Sequence, residues 1–485
     1  MLALAAGHAL ARAGLLLDAL LAAAALCTGG QLRRAAVAAA LVVTPVLLAA
    51  ELWHATQITH LRHHPALAAA GAIAAIALAA ALARVVRDRP RLLALGAVAA
   101  LPFRFSVLAG GTGGILLPLY VVIAAGGLAL VVWDRSAADE PSIGWLERAL
   151  AAFVVLYGVQ ALYTPAASLG KAVEEIGFFL VPFALLFVLL RRVEWDRALL
   201  ARAAAVVVAL ALAFVAVAAV EYASRRLLFN TALNTNERFF RVNSLFYDPN
   251  IFGRFLALTM VLVVAATVWR AERRVLLAGA AVLIVLWLGL AGSVSQTSMV
   301  ALLAGLAVIG AARFSVRASG AVTAVVVVAG VAIAIAASGR LHLNLSDTSG
   351  ANNATAGRYS LVREGIDLFA QRPLAGYGSA SFSCEFLRHT GHSCTGSAAV
   401  TSDSHTIPIT VAAEQGVIGL AAYLLLAAAA FWRLGARGLR GRAARVGILA
   451  AFAALVVHTW AYADFLEDPI TWSLLAVGTA LARGD

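Results

Sequence analysis

Charged side chains are scarce in this sequence, and lysine is nearly missing from it. Only 13% of the 485 residues are Asp, Glu, Lys or Arg, whereas 62% are hydrophobic. A soluble domain carries roughly twice that share of charge. Water cannot solvate such a surface, so lipid is expected to surround most of the chain. Lys171 is the only lysine, so arginine supplies nearly all of the positive charge.

The formal net charge of +12 does not point to nucleic acid. A nucleic-acid-binding protein would carry a basic stripe interleaved with aromatic residues or a recognisable motif, and the sequence has neither. Its arginines cluster instead in short segments between apolar runs, as the positive-inside rule describes for membrane proteins. We therefore expect membrane lipids as partners and no nucleic acid.

Residues that bind metals or nucleotides are also sparse. The sequence has no Walker loop, and the two long polar segments 221–250 and 338–404 have no D-x-D-type pair of carboxylates, so neither nucleotide-sugar nor Mg²⁺ chemistry is indicated. Four histidines, His54, His60, His63 and His64, cluster between two apolar runs, but no carboxylate or cysteine accompanies them closely. An ordinary surface cluster is favoured over a metal site. We predict no cofactor and no metal.

Three cysteines are present. Cys27 lies in an apolar run and is expected to be inert. Cys384 and Cys394 lie together in a long polar segment, where they would form a disulfide if that segment faces an oxidising compartment.

Long apolar runs dominate the chain and predict an all-α, polytopic membrane protein with about 12–15 transmembrane helices. The first run lacks the features of a cleaved signal peptide and is interpreted as a span. The runs are 9–28, 35–52, 65–83, 92–109, 114–133, 146–164, 174–190, 199–220, 251–269, 275–292, 298–312, 319–337, 406–432, 446–463 and 469–482.

Arginines predict the orientation of these spans. They follow every odd-numbered run up to the thirteenth, which assigns those exits to the cytoplasm. Two long segments, 221–250 and 338–404, then face outward. We divide the chain into an N-terminal bundle (1–220), a region with the first outward loop (221–337), a large outward loop (338–404) and C-terminal helices (405–485).

The first outward loop ends in a cluster that suits an anion. Arg238 and Arg241 precede a predicted helix start at Asp248, and Asn250 and Arg254 lie in its first turns. Free N–H groups at a helix start attract anions, and the arginines add fixed positive charge. An alternative is contact between interfacial arginines and lipid headgroups.

The large outward loop contains a predicted amphipathic helix that begins near Arg358, includes Arg363 and would lie along the membrane surface. Its predicted apolar face consists of Val362, Ile366 and Phe369. Gly376 and Gly378 follow it and allow a tight turn or close approach by a ligand. Asp403 closes the loop.

His405 stands at the mouth of the next span, where it would bind phosphate or move a proton. Glu414 lies inside that span and is a functional candidate, since ionisable groups there are costly. Gly416 and Gly419 would let another helix pack closely.

These motifs resemble those of the O-antigen ligase and polymerase superfamily. His405-Thr406, nine residues and then Gly416-x-x-Gly419 are similar to its signature, although Thr406 is a mild departure. Arg241 with Pro249-Asn250, Gly357-Arg358, and the segment from Arg372 to Gly378 with Phe382 are similar to further family segments. Gln296 stands where the family usually has arginine, so we assign that position no catalytic role.

The resemblance implies a GT-C-like glycosyltransferase in a bacterial inner membrane, with its active site facing the periplasm. The donor would be a glycan on undecaprenyl diphosphate. Catalytic residues would be His405, Arg241 and Arg358, because guanidinium groups suit a departing diphosphate. Candidate substrate-binding residues are Arg238, Arg254, Asn250, Arg363, Gly376, Gly378 and Asp403.

The identity of the acceptor distinguishes three possible activities of the protein. Lipid A–core would make the protein an O-antigen ligase, which we favour. A second lipid-linked repeat would make it a polymerase, and a protein side chain an oligosaccharyltransferase. A lipid-linked glycan flippase is the alternative of another class. It would place ionisable residues near the bilayer midplane, often with internal repeats, and we find no repeat.

Overall fold

A computed structural model describes residues 2–53, 62–104, 116–133, 142–230, 233–234, 240–341, 358–394, 403–435, 439 and 442–483, without the side chains of 2–6 and 329–341. Within this part of the chain, helices and connecting turns account for the fold and strands are absent. Arg238, His54 and His60 lie outside the described residues.

The helices are numbered in chain order. They are α1 Leu2–Cys27, α2 Gly30–Leu52, α3 Pro65–Asp88, α4 Pro90–Ala100, α5 Leu117–Trp133, α6 Trp145–Gln160, α7 Leu169–Glu175, α8 Val181–Arg191, α9 Arg197–Ser224, α10 Pro249–Thr267, α11 Arg273–Ser293, α12 Gln296–Arg313, α13 Val316–Leu341, α14 Arg358–Gln371, α15 Phe382–His389, α16 Ile407–Gly435, α17 Ala443–Thr459 and α18 Pro469–Leu481. A 3₁₀ turn, Ala166–Ser168, precedes α7, and a π-helical turn, Ile176–Leu180, joins it to α8.

The prediction of an all-α polytopic membrane protein is confirmed. In the described part of the chain, nine helical stretches are long and apolar enough to cross a bilayer, and five shorter apolar helices accompany them. Each of the fifteen predicted runs coincides with a helical stretch. The stretch 166–191 is one of these nine candidate spans, although it changes from 3₁₀ to α to π and back to α geometry along its length.

Local sequence sets several helix starts at the face that carries the candidate site. Asp248 and Asp468 each accept a hydrogen bond from the backbone N–H of the second residue of the following helix, at 2.6 and 2.8 Å. A proline occupies the first position of both helices. The N–H of the first residue of a helix has no partner within the helix, so a proline, which has no N–H, loses nothing at that position. An Asp-Pro pair is therefore a strong signal for the start of a helix.

Packing brings together the ends of several helices that the charge pattern predicts to face outward. α10 packs against α11, α12 and α17, and α12 packs against α17. α16 packs against α6 and α14. At the other ends of these helices lie Arg270, Arg313, Arg433 and Arg445, which agrees with the orientation predicted from charge.

The amphipathic helix in the large outward loop exists, but its buried face differs from the predicted one. α14 buries Gly365 and Leu368 against Phe382 and the first turns of α16. Ile366, expected on the apolar face, is half exposed. The prediction assumed contact with lipid alone, whereas packing on α15 and α16 rotates the helix.

Candidate active site

Arg241 is held where the end of α11 meets the start of α10. Its backbone N–H donates to Asn234 Oδ1 at 3.0 Å, and its carbonyl accepts from Asn234 Nδ2 at 3.1 Å. Its guanidinium donates through Nε to the Ser293 carbonyl at 3.1 Å and through Nη2 to Asn250 Oδ1 at 3.3 Å. The end of α11 and the start of α10 therefore orient this side chain.

A buried polar network continues from Asn250 into the core. Ser295 Oγ donates to Asn250 Oδ1 at 2.9 Å and lies 2.8 Å from Ser298 Oγ. Ser298 Oγ and Thr297 Oγ1 lie 3.2 and 3.3 Å from His458 Nε2. The short break between α11 and α12 thus supplies hydroxyl groups that join α10 to the end of α17. Sequence reasoning missed His458, although a histidine at the outer end of a span is a signal in itself.

Residues 460–468, which we call the outer segment, cover this network. Tyr462 lies between two histidines, with its ring centroid 5.4 Å from that of His405 and 5.5 Å from that of His458. Arg358 Nη1 donates to the Ala461 carbonyl at 3.2 Å. The outer segment therefore contacts two of the three predicted catalytic residues, yet no part of it was singled out from sequence.

Arg254, in α10, holds the outer segment through ion pairs. Its guanidinium is buried and forms ion pairs with Asp468 at 2.6 Å and Asp464 at 3.6 Å. It also donates to the Ala463 carbonyl at 3.3 Å. Its expected contact with substrate stays a prediction, while these contacts give it a role in positioning the segment that carries Tyr462.

His405 has a constrained backbone. Its φ of 55° lies in the left-handed region, which is unusual for a residue other than glycine. Ser404 holds the turn, since its Oγ donates to the Thr406 carbonyl at 2.8 Å and accepts from the Thr406 N–H at 3.2 Å. Such strain is maintained only where the surroundings fix the conformation, and it often accompanies a functional site.

Arg358 lies within electrostatic range of both Arg241 and His405. Burial, followed by the positive charge of Arg358, lowers the pKa of His405 below its ordinary value, while Asp403 and other carboxylates oppose the shift. Burial lowers the pKa of Arg358, and the positive charge of Arg241 adds to this. The shift of His405 favours the neutral imidazole, which is the form that accepts a proton.

Asp403 and Arg363, two further candidates for substrate binding, lie in different surroundings. Asp403 accepts a hydrogen bond from Lys171 Nζ at 2.7 Å. Arg363 lies on the exposed side of α14.

Gly376 and Gly378 belong to a docking loop, residues 372–381, that packs on α16. Both glycines have positive φ, and so has Gly416 within α16. There α16 leaves helical geometry, and the N–H groups of Val417 and Ile418 donate to the carbonyls of Pro373 and Leu374, at 2.7 and 3.4 Å. The close partner at Gly416 is therefore this loop, so the expectation that another helix packs there is wrong.

Glu414 locks the docking loop in place. Its carboxylate accepts from the N–H groups of Ala380 and Phe382 at 3.1 and 2.9 Å, and its carbonyl accepts from the Gly378 N–H at 2.8 Å. This ionisable residue, suspected of a function from sequence, thus supports the loop that leads to α15.

The predicted disulfide is present. Cys384, in the first turn of α15, is bonded to Cys394, with Cα atoms 4.9 Å apart, so the bond ties the start of α15 to the chain beyond its end. Among the described residues, no group of three or more His, Cys, Asp or Glu side chains is arranged to hold a metal ion.

Comparison with protein families identifies part of this region. The family model described as O-antigen ligase matches residues 281–424. The match contains Arg358, His405 and Gly416 but not Arg241 or the outer segment. It confirms the resemblance predicted from the motifs. No curated protein matches the chain significantly.

Proposed function

We propose that this multi-pass membrane protein, a member of the O-antigen ligase and polymerase superfamily, is an inverting glycosyltransferase of the O-antigen ligase type. It would move a glycan from undecaprenyl diphosphate to an acceptor hydroxyl at the periplasmic face of a bacterial inner membrane. The observation that carries the proposal is the set of contacts around the outer segment. Arg358 and His405 both contact this segment, and α10, which pairs with it through Arg254, holds Arg241 through Asn250. Arg358 and His405 lie inside the matched region.

The difficult step is departure of the diphosphate. The bond between the anomeric carbon of the glycan and the diphosphate oxygen breaks, and its electron pair leaves with that oxygen. Guanidinium groups stay charged at every relevant pH and bind phosphate oxygens in pairs. Arg241 is held by two hydrogen bonds, so it stabilises the developing charge without first reorganising.

The acceptor hydroxyl forms the new bond from the opposite face of the sugar ring and inverts its configuration. Its proton must leave as the bond forms. His405 is suited to take that proton, since its lowered pKa favours the neutral imidazole and Tyr462 packs against its ring. No metal enters this scheme, because the arginines carry the charge stabilisation.

Reconstituted protein should be incubated with undecaprenyl-diphosphate-linked glycan and lipid A–core, and the products separated by mass. Glycan on lipid A–core would support the ligase. Donor molecules with lengthened glycans would assign a polymerase instead, and donor crossing the bilayer without bond cleavage would assign a flippase. A chelator should leave transfer unchanged, and full, reversible loss on chelation would contradict the metal-free scheme.

A further inference from the structure

Lys171, the only lysine in the sequence, lies beside the turn that carries His405. It belongs to α7, at the end of the 166–191 span that the charge pattern predicts to face outward. Its Nζ donates to Asp403 Oδ1 at 2.7 Å and to Ser383 Oγ at 3.3 Å. One side chain thus joins the span, α15 and the turn that precedes α16. The mechanism proposed above makes no use of it.

Asp403 is the principal partner of this lysine. The other carboxylates that interact with Lys171 are Glu175, Glu414 and Glu467. Glu175 lies farther from Nζ, at 3.7 Å, and also accepts a hydrogen bond from a tyrosine hydroxyl of α6. Glu414 is engaged by two backbone N–H groups of the chain that leads into α15. The closest charged contact of the lysine is therefore with the residue two positions before the histidine.

Two contacts fix the turn that carries His405 to the helices around it. Ser404 Oγ lies 2.8 Å from Thr410 Oγ1, which attaches the turn to α16. The ion pair with Lys171 attaches it to the 166–191 span. The left-handed backbone of His405 needs such support, since a strained conformation is maintained only where the surroundings fix it.

The charge of the pair also reaches the imidazole, on which Tyr462 packs. Burial lowers the pKa of His405, and so does the positive charge of Arg358, whereas the carboxylates of Asp403, Asp248 and Asp464 raise it. A cation beside Asp403 offsets part of the effect of that carboxylate. Without this cation, the imidazole would keep its proton up to a higher pH.

We propose that Lys171 is a positioning residue for His405. It holds Asp403 toward the 166–191 span and offsets its negative charge, so that the neighbouring imidazole is neutral when the acceptor hydroxyl arrives. The proton of that hydroxyl then moves to the imidazole, as in the proposed function, on which this inference rests. Lys171 acts only through the turn and contacts no substrate.

The protonation of His405 can be measured without any transfer reaction. Diethyl pyrocarbonate modifies only the neutral form of an imidazole. The rate of modification at His405 should be followed by peptide mass spectrometry in the purified full-length protein, between about pH 5 and pH 8. The midpoint of this profile reports the pKa of His405, and in the wild type it should lie below about 6.5.

Lys171→Gln is the informative variant. Glutamine still donates an N–H to Asp403 but carries no charge, so the midpoint at His405 should rise by about 0.5–1 pH unit. Lys171→Arg keeps the charge and should keep the wild-type midpoint. Arg388→Gln, which removes an exposed cation from α15, is the matched control and should also leave the midpoint unchanged. Because partly exposed ion pairs contribute little to stability, Lys171→Gln should still fold.

Acetylation removes the same charge from protein that has already folded. Because Lys171 is the only lysine, acetylating the wild type should raise the midpoint at His405 as Lys171→Gln does. Acetylated Lys171→Arg is the control, since it lacks the lysine and keeps the N-terminal amine. The proposal is thus testable even if the glutamine variant does not fold.

The outcomes separate this inference from the proposed function. In transfer assays Lys171→Gln should be about three- to tenfold slower than the wild type below the acidic limb, equal to it above the limb, and unchanged in its KM for donor. An unchanged or lowered midpoint in both Lys171→Gln and the acetylated wild type would overturn the role of Lys171. A raised midpoint with an unchanged pH profile of transfer would also overturn it. A raised midpoint in protein whose wild type transfers no glycan would support the effect of Lys171 on His405 and reject the proposed glycosyltransferase.

Discussion

Replacing Arg241 or Arg358 by lysine separates charge from shape. Lysine keeps the positive charge, but its ammonium is a single point and cannot present two parallel N–H groups. Arg241 also uses its guanidinium to contact the Ser293 carbonyl and Asn250 together, 3.1 and 3.3 Å away. Arg241→Lys would therefore lose one of these contacts as well as the fork offered to the diphosphate.

The expected loss is large and concerns the chemical step. Removing one preorganised contact to a developing oxyanion typically slows a reaction by about 10²–10³-fold, or roughly 3–4 kcal/mol of transition-state stabilisation. Arg241→Lys and Arg358→Lys should each reach that range. Both should still fold, because the side chains lie at the outer face and the helix packing below them is unaffected.

The assay is single-turnover transfer at saturating donor, so that weaker donor binding does not mimic a slower reaction. Arg270→Lys, an exposed residue between α10 and α11 at the opposite face, is the matched control and should transfer at the wild-type rate. Near-normal rates for both active-site variants would show that these arginines only neutralise phosphate or contact lipid headgroups. The proposed mechanism would then be wrong for this chain.

Three further predictions concern the protonation of His405, the docking loop and the disulfide. If His405 is the base, the transfer rate should fall as the pH drops through the lowered pKa of His405. The acidic limb of the pH–rate profile should therefore be centred below the ordinary histidine value of about 6.5, and it should disappear in His405→Ala. An acidic limb centred above about 6.5 would contradict this role. Gly416→Ala should lower the melting temperature by several degrees or prevent folding, because the φ of Gly416 is 63° and a Cβ there would overlap the docking loop. The control is Gly435→Ala, where a Cβ meets open space, and it should leave the melting temperature unchanged. Reducing the Cys384–Cys394 disulfide should lower the free energy of unfolding by at most about 3 kcal/mol, measured by denaturant titration with and without reductant. An unchanged free energy of unfolding would show that the bond does not stabilise the fold.

The helices were largely predictable because lipid leaves the chain few options. A backbone that crosses a bilayer must satisfy its own hydrogen bonds, so an apolar run of sufficient length forms a helix whatever its neighbours are. The last span shows this well. The run 469–482 was marginal by length, yet α18 covers Pro469–Leu481, and Asp468 caps its start.

Contacts between distant segments were not predictable in the same way. The spacing of Gly416 and Gly419 shows that something approaches α16 closely, but either a helix or a loop would fit such a pattern. The structure places the docking loop there, through hydrogen bonds from Val417 and Ile418. Local periodicity likewise predicted α14 but not its buried face, because that face depends on α15 and α16.

Arginines on the outward face show why composition alone does not identify a site. Arg241 and Arg254 both break the positive-inside rule, and both were expected to meet the anionic donor, Arg241 in catalysis and Arg254 in substrate binding. The structure pairs Arg254 with Asp464 and Asp468, more than two hundred positions away, and buries its guanidinium completely. Such a buried pair costs desolvation, so its value lies in where it holds the outer segment rather than in stability alone. Arg241 donates to the Ser293 carbonyl and to the Asn250 side-chain oxygen, and these two contacts orient its guanidinium at the helix ends. The role of Arg254 thus follows from carboxylates that are distant in the sequence, and the local pattern around Arg254 does not contain them.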